Sequence, residues 1–187
     1  MKRAQCFTLL LLFAVNCCMA VSDSALWSGV RSLGVLYQQG HKDSAMVRTQ
    51  ELMTTAEQQH NYAALAMLHA MRGTLNSEQG DKQSALKEFT TVAGMAEEHH
   101  LLDKAKSQPA YRFLIQTLVP IYAQLALLCD ETGQPALCLE YARNGLEWAA
   151  ANDKREQTSI AVAMLTEMLV KHGGDTSISV PGDGKGQ

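Results

Sequence analysis

Proline is scarce in this chain, with four residues in 187, and aromatic side chains make up only 6%. A disordered chain is poor in apolar residues, whereas 47% of this one is hydrophobic, enough for a real core. Cysteine is sparse too. There are five, and Cys6, Cys17 and Cys18 fall close to the N-terminus, which excludes a miniprotein built on disulfides. Positive charge is not in excess. Sixteen Lys and Arg face 19 Asp and Glu, for a net charge of −3, so no polybasic surface for nucleic acid or anionic lipid is expected. Glycine-rich phosphate loops and the Gly-x-Ser-x-Gly nucleophile elbow are both missing.

The first twenty residues have the three-part pattern of a secretory signal. Lys2 and Arg3 are followed by an apolar run over residues 7–18, and Cys18-Met19-Ala20 puts small residues at the −3 and −1 positions of a cut after Ala20. The run is well short of the roughly 20 residues that span a bilayer as a helix. The expectation is a signal peptide over residues 1–20 and a secreted or periplasmic protein, with an uncleaved membrane anchor as the alternative. No later segment reads as long and apolar enough to span, so stable membrane insertion is not expected after cleavage. Removing two cations leaves 14 against 19 anions, a net charge of −5, and only Cys129 and Cys138 remain.

Apolar residues recur at helical spacing along most of the remaining chain, as in Leu26, Val30, Leu33 and Tyr37, or Ala85, Phe89, Val92 and Ala96. The pattern predicts helices near residues 24–38, 43–59, 62–79, 82–99, 109–131, 135–151 and 154–171. Pro120 should kink or split the fifth of these. Gly173-Gly174 stops the last, and residues 173–187 read as a disordered tail. No strand is expected, so the fold class is all-α.

Three turns look alike: Gly40-His41-Lys42-Asp43-Ser44-Ala45, Gly80-Asp81-Lys82-Gln83-Ser84-Ala85 and Gly133-Gln134-Pro135-Ala136-Leu137-Cys138. In each, Gly permits the left-handed backbone that ends one helix, and a small residue five positions later lets the next helix pack closely against it. Gly73, Gly80, Ala85 and Phe89, at spacings of seven, five and four, resemble the tetratricopeptide repeat (TPR) family. The third copy matches with Tyr122, Ala126, Gly133, Cys138 and Ala142. The first is weaker, with Leu33, Gly40, Ala45 and Leu52. The Gly-to-Gly intervals of 40 and 53 exceed the family's roughly 34 residues, which implies longer helices. The resemblance implies an α-solenoid of about three antiparallel helix-turn-helix repeats over residues 21–172, with the last helix as a cap.

Chemistry is thin. Cys129 and Cys138 stand where a repeat wants a small core residue. His99-His100 is the only adjacent histidine pair, and neighbouring residues on a helix diverge by about 100°, too far apart to share a metal easily. His69 reads as a satisfied histidine between helices. The expectation is therefore no enzyme, no cofactor and no metal. In the family, the first helix of each repeat lines a concave groove. The resemblance assigns Trp27, Arg31, Tyr37 and Gln38 to it, then Met67, Met71, Thr74, Ser77 and Glu78, then Gln124, Leu127, Asp130 and Glu131. Aromatic, Met and Arg side chains suit an interface core, and Trp27 is expected to be partly exposed. The function this implies is binding of a protein or peptide partner. The alternative is a sensory, ligand-binding helical domain of a bacterial signalling system. Oligomeric state is left open. Cys129 and Cys138 flank the third turn and are a possible disulfide in an oxidising compartment.

Overall fold

The computed structural model describes residues 25–151 and 158–175. Residues 1–20, expected to be a signal peptide, and residues 176–187 of the expected disordered tail lie outside the described residues. Those described are all-α, with eight helices and no strand. In chain order they are α1 (Ala25–Gln38), α2 (Lys42–Gln58), α3 (Tyr62–Glu78), α4 (Lys82–Glu98), α5 (Leu101–Ser107), α6 (Phe113–Glu131), α7 (Pro135–Ala150) and α8 (Ser159–Lys171). A 3₁₀ turn, Pro109–Tyr111, precedes α6.

The helices fall within a few residues of those expected from periodicity, except between residues 99 and 113. There the short α5 and the 3₁₀ turn replace a loop and the start of a long helix. Pro120 does not split α6, which runs through it. Proline removes one helical hydrogen bond and crowds the carbonyl four residues back, and the helix continues on either side of it.

One local structure recurs at the helix ends. Gly40, His60, Gly80, His100, Gly133 and Gly173 all have φ between 50° and 84°. After five of these, the next residue's N–H donates to the carbonyl five residues earlier: His41 to Leu36, Asn61 to Ala56, Asp81 to Asn76, Gln134 to Cys129 and Gly174 to Leu169, all at 2.7–2.9 Å. The left-handed residue bonds three residues back in each case. Together these are the two bonds of a Schellman motif, which satisfy carbonyls that the helix end leaves open. The first four left-handed residues are spaced 20 apart, so α2, α3 and α4 are each 17 residues long and joined by three-residue turns. Asn61 and Asp81 then cap the following helices by accepting from the N–H of Ala64 and Ser84. The Ser84 N–H holds the Asp81 carboxyl below its usual value.

The chain divides into two compact units, one running to Thr117 and the other from Leu118. In the first, α3 packs between α2 and α4 and is buried on most of its circumference. Gly73 explains how α4 approaches so closely: a Cβ there would lie 2.5 Å from Cε1 of Phe89. Forty residues earlier the corresponding positions hold Leu33 and Thr49, both buried, so bulk moves from the second helix of the pair to the first. Ala45 and Ala85, five residues beyond their turn glycines, are fully buried.

In the second unit the positions matching Gly73 and Phe89 hold Ala126 and Ala142, again fully buried. Gly145 on α7 would bring a Cβ within 2.7 Å of the Tyr122 Cβ on α6 and 2.8 Å of Leu165 on α8. This glycine thus lets α7 lie against both neighbours.

One expectation needs correcting. The stretch Pro109–Glu131 is long and apolar enough to cross a membrane by composition, with a mean hydropathy of 1.5. Of its most apolar window 78% is buried within the protein. The hydropathy is that of a core helix whose polar faces are few.

The left-handed turns yield a paired test. Gly80→Ala should cost about 1–2 kcal/mol, because an L side chain is strained at that φ. His100→Gly should stabilise by up to about 1 kcal/mol by removing the same strain, less the entropy that Gly adds to the unfolded chain. Urea denaturation of the two variants reads both signs, and a shared sign would contradict the turn geometry.

Candidate functional site

The thirteen residues that the family pattern assigns to a groove divide by burial. In the first unit Trp27, Tyr37, Met67 and Met71 are buried, at 2%, 7%, 3% and 5% exposure. Trp27 was expected to be partly exposed and is not. Its ring meets Phe113 edge-on at 5.2 Å between centroids, a favoured aromatic geometry. Trp27 lies near the start of α1 and Phe113 opens α6, so within the first unit the indole packs on the chain's own aromatic. Arg31, Thr74 and Ser77 stay half-buried and Gln38 is exposed. In the second unit Gln124, Leu127 and Asp130 are half-buried and Glu131 is exposed.

Three of the assigned residues prove to be ties between helices. The Tyr37 hydroxyl donates to Glu78 Oε1, joining the C-terminal ends of α1 and α3. Lys42, at the start of α2, places Nζ 2.8 Å from the other Glu78 oxygen. In the second unit Asp130, near the end of α6, receives Lys171 Nζ at 2.6 Å and lies 2.8 Å from His172 Nε2 at the end of α8. The Lys171 ammonium, and then His172, hold the Asp130 carboxyl below its ordinary 3.8.

The positions correspond. Tyr37 and Asp130 each lie three residues before a left-handed glycine, Gly40 or Gly133. Glu78 and Lys171 each lie two before the next such glycine in their unit, Gly80 or Gly173. The chemistry differs and the place is the same.

A third polar cluster was not foreseen. Glu88 on α4 is 7% exposed and accepts from Arg72 at 2.9 Å, while His69 Nδ1 lies 2.7 Å away. Both partners come from α3, and Arg72 also donates to Gln50 on α2. A buried carboxylate is tolerable only with such partners. The sequence signal was the pairing of His69 and Arg72, three residues apart on an otherwise apolar helix, opposite an acid nineteen residues on. His69 is thus a satisfied histidine between helices, as read from its position. His99 and His100 lie in a turn rather than on a helix, and His99 stacks on Tyr62 at 3.5 Å.

Cys129 and Cys138 are buried free thiols. Burial pushes Cys129 up to about 11, with Cys138 and Glu140 adding to it, and burial raises Cys138 as well. Thiols with such pKa values are poor nucleophiles at neutral pH. Among the described residues no three His, Cys, Asp or Glu converge as a set of metal ligands. No family model, curated protein or solved structure matches the chain.

The Asp130 tie makes stability depend on pH in a definite direction. A carboxyl whose folded pKa is depressed adds stability above its unfolded pKa and loses it as pH falls through the folded value. Wild type should therefore be more stable than Asp130→Asn at pH 7, and the gap should close well below pH 3.8. Urea midpoints measured across that range decide it; an unchanged gap in acid would contradict the assignment.

Proposed function

We propose that the chain is a non-catalytic helical-repeat module, similar to the tetratricopeptide repeats, that holds a protein or peptide segment in an exported compartment. The observation that carries this reading is the recurrence of one helix-stop and one inter-helix tie at matching positions in both units. A unit that stacks on copies of itself builds an extended face, and such faces serve contact more readily than chemistry. The raised thiol pKa values agree with a chain that does not offer a nucleophile.

Because Trp27, Met67 and Met71 are buried and Tyr37, Glu78 and Asp130 are engaged as ties, each unit's own contact surface is what remains of its assigned residues. In the first unit this is Arg31, Gln38, Thr74 and Ser77. In the second it is Gln124, Leu127 and Glu131. Export is supported by the N-terminal pattern of charge, apolar run and small residues.

A photo-crosslinking amino acid placed at Arg31, Gln38 or Ser77, with Thr90 on the exposed back of α4 as control, tests the proposal in cells. The three positions should give the same discrete adduct in the envelope fraction, and Thr90 should not give it. Adducts that are equal at all four positions, or absent from the three, would contradict it.

A further inference from the structure

At the end of the first unit where the turns at residues 59–61 and 99–101 meet, a cleft of about 250 Å³ opens between three elements. The turn before α3 supplies Gln59, His60 and Tyr62, α5 supplies Leu101 and Lys104, and the 3₁₀ turn supplies Tyr111. The wall is fixed by the stacking of Tyr62 on His99. We propose that this cleft binds a small organic carboxylate, with Lys104 as its counter-charge. The inference goes beyond the repeat reading and does not depend on it.

Charge argues for an anion. Lys104 is the permanent cation of the lining, and no carboxylate is part of it. Among the described residues Lys104 has no ion-pair partner, and the hydroxyls of Tyr62 and Tyr111 and the side-chain amide of Gln59 have no hydrogen-bond partner. Lys104 is half-buried, so part of its hydration is already lost and an anion beside it replaces water at reduced cost. One ammonium with hydroxyl and amide donors nearby suits a single carboxylate.

At the start of α3 the Ala64 N–H is taken by the Asn61 side chain, so an anion there has only the N–H groups of Tyr62 and Ala63 to add to Lys104. Size selects further. At about 250 Å³ the cleft is smaller than the roughly 300–1,000 Å³ typical of sites for drug-sized ligands, which favours a small molecule. The half-buried Tyr62 and Tyr111 border the opening, while Leu101 and Ala63 are buried behind it, so the surface a ligand meets is mainly polar.

The test is a titration of the ¹⁵N-labelled protein with benzoate, followed by amide shifts, with benzamide as the neutral isostere. Benzoate should shift the amides of residues 59–63, 101–104 and 111 saturably, with a dissociation constant on the order of 1 mM or tighter for so small a ligand. Benzamide should bind at least about ten-fold more weakly, as should benzoate to Lys104→Gln, while Lys106→Gln on the exposed side of α5 keeps wild-type binding. Unchanged spectra elsewhere in Lys104→Gln show that the fold is retained. Equal binding of benzoate and benzamide, wild-type affinity in Lys104→Gln, or no saturable shift in the cleft would each overturn the proposal.

Discussion

A helix must stop without leaving its last carbonyls unsatisfied, and the way this chain stops its helices organises everything else. A residue with positive φ turns the backbone so that two N–H groups reach back onto the open carbonyls. Because these residues stand at 40, 60, 80 and 100, the helices between them have one length and their turns alternate between two ends. Equal helices joined by equal turns can lie antiparallel with their apolar faces in register. At one end, the turns after Gly40 and Gly80 are joined through Tyr37, Glu78 and Lys42. At the other, those after His60 and His100 are joined through Tyr62 and His99.

Packing follows from this register. A helix pair can approach only where a large side chain meets a small one. Gly73 takes the ring of Phe89, and the corresponding positions elsewhere hold Leu33 and Thr49 or Ala126 and Ala142. The sum of the two is what the interface constrains, so either side can carry the bulk. The same freedom applies to the ties. A phenol with a carboxylate in one unit, and a carboxylate with an ammonium in the other, hold equivalent helix ends. Buried polar groups such as Glu88 survive because α3 brings His69 and Arg72 to the same spot.

Much of this was legible in the sequence because glycine, small residues and apolar periodicity act locally. The turns at Gly40, Gly80 and Gly133 were readable, and so were the helices between them. The helix ends near residues 60 and 100 were readable from periodicity, but a left-handed histidine carries no glycine signature, so their likeness to the glycine turns was not. The 20-residue spacing therefore showed only as a Gly-to-Gly interval of 40. The short α5 escaped for the same reason. Exposure was harder to read. Trp27 and the two methionines have the character of interface residues, yet that character equally suits a core, and only the approach of Phe113 decides for Trp27. Tyr37, Glu78 and Asp130 were placed by a family pattern on a binding face, whereas their partners some forty residues away make them ties. No local signal announces a partner at that distance.

The central claim is that one hydrogen-bonded stop, set at fixed intervals, defines the helices. Native-state amide hydrogen exchange tests it most directly, because the amides that follow the left-handed residues lie in turns and would otherwise be open to water. The account predicts that the amides of His41, Asn61, Asp81, Gln134 and Gly174 are protected, each being bonded to a carbonyl five residues back. Exchange of these five at the rate of an unstructured peptide, while the helix interiors stay protected, would contradict it.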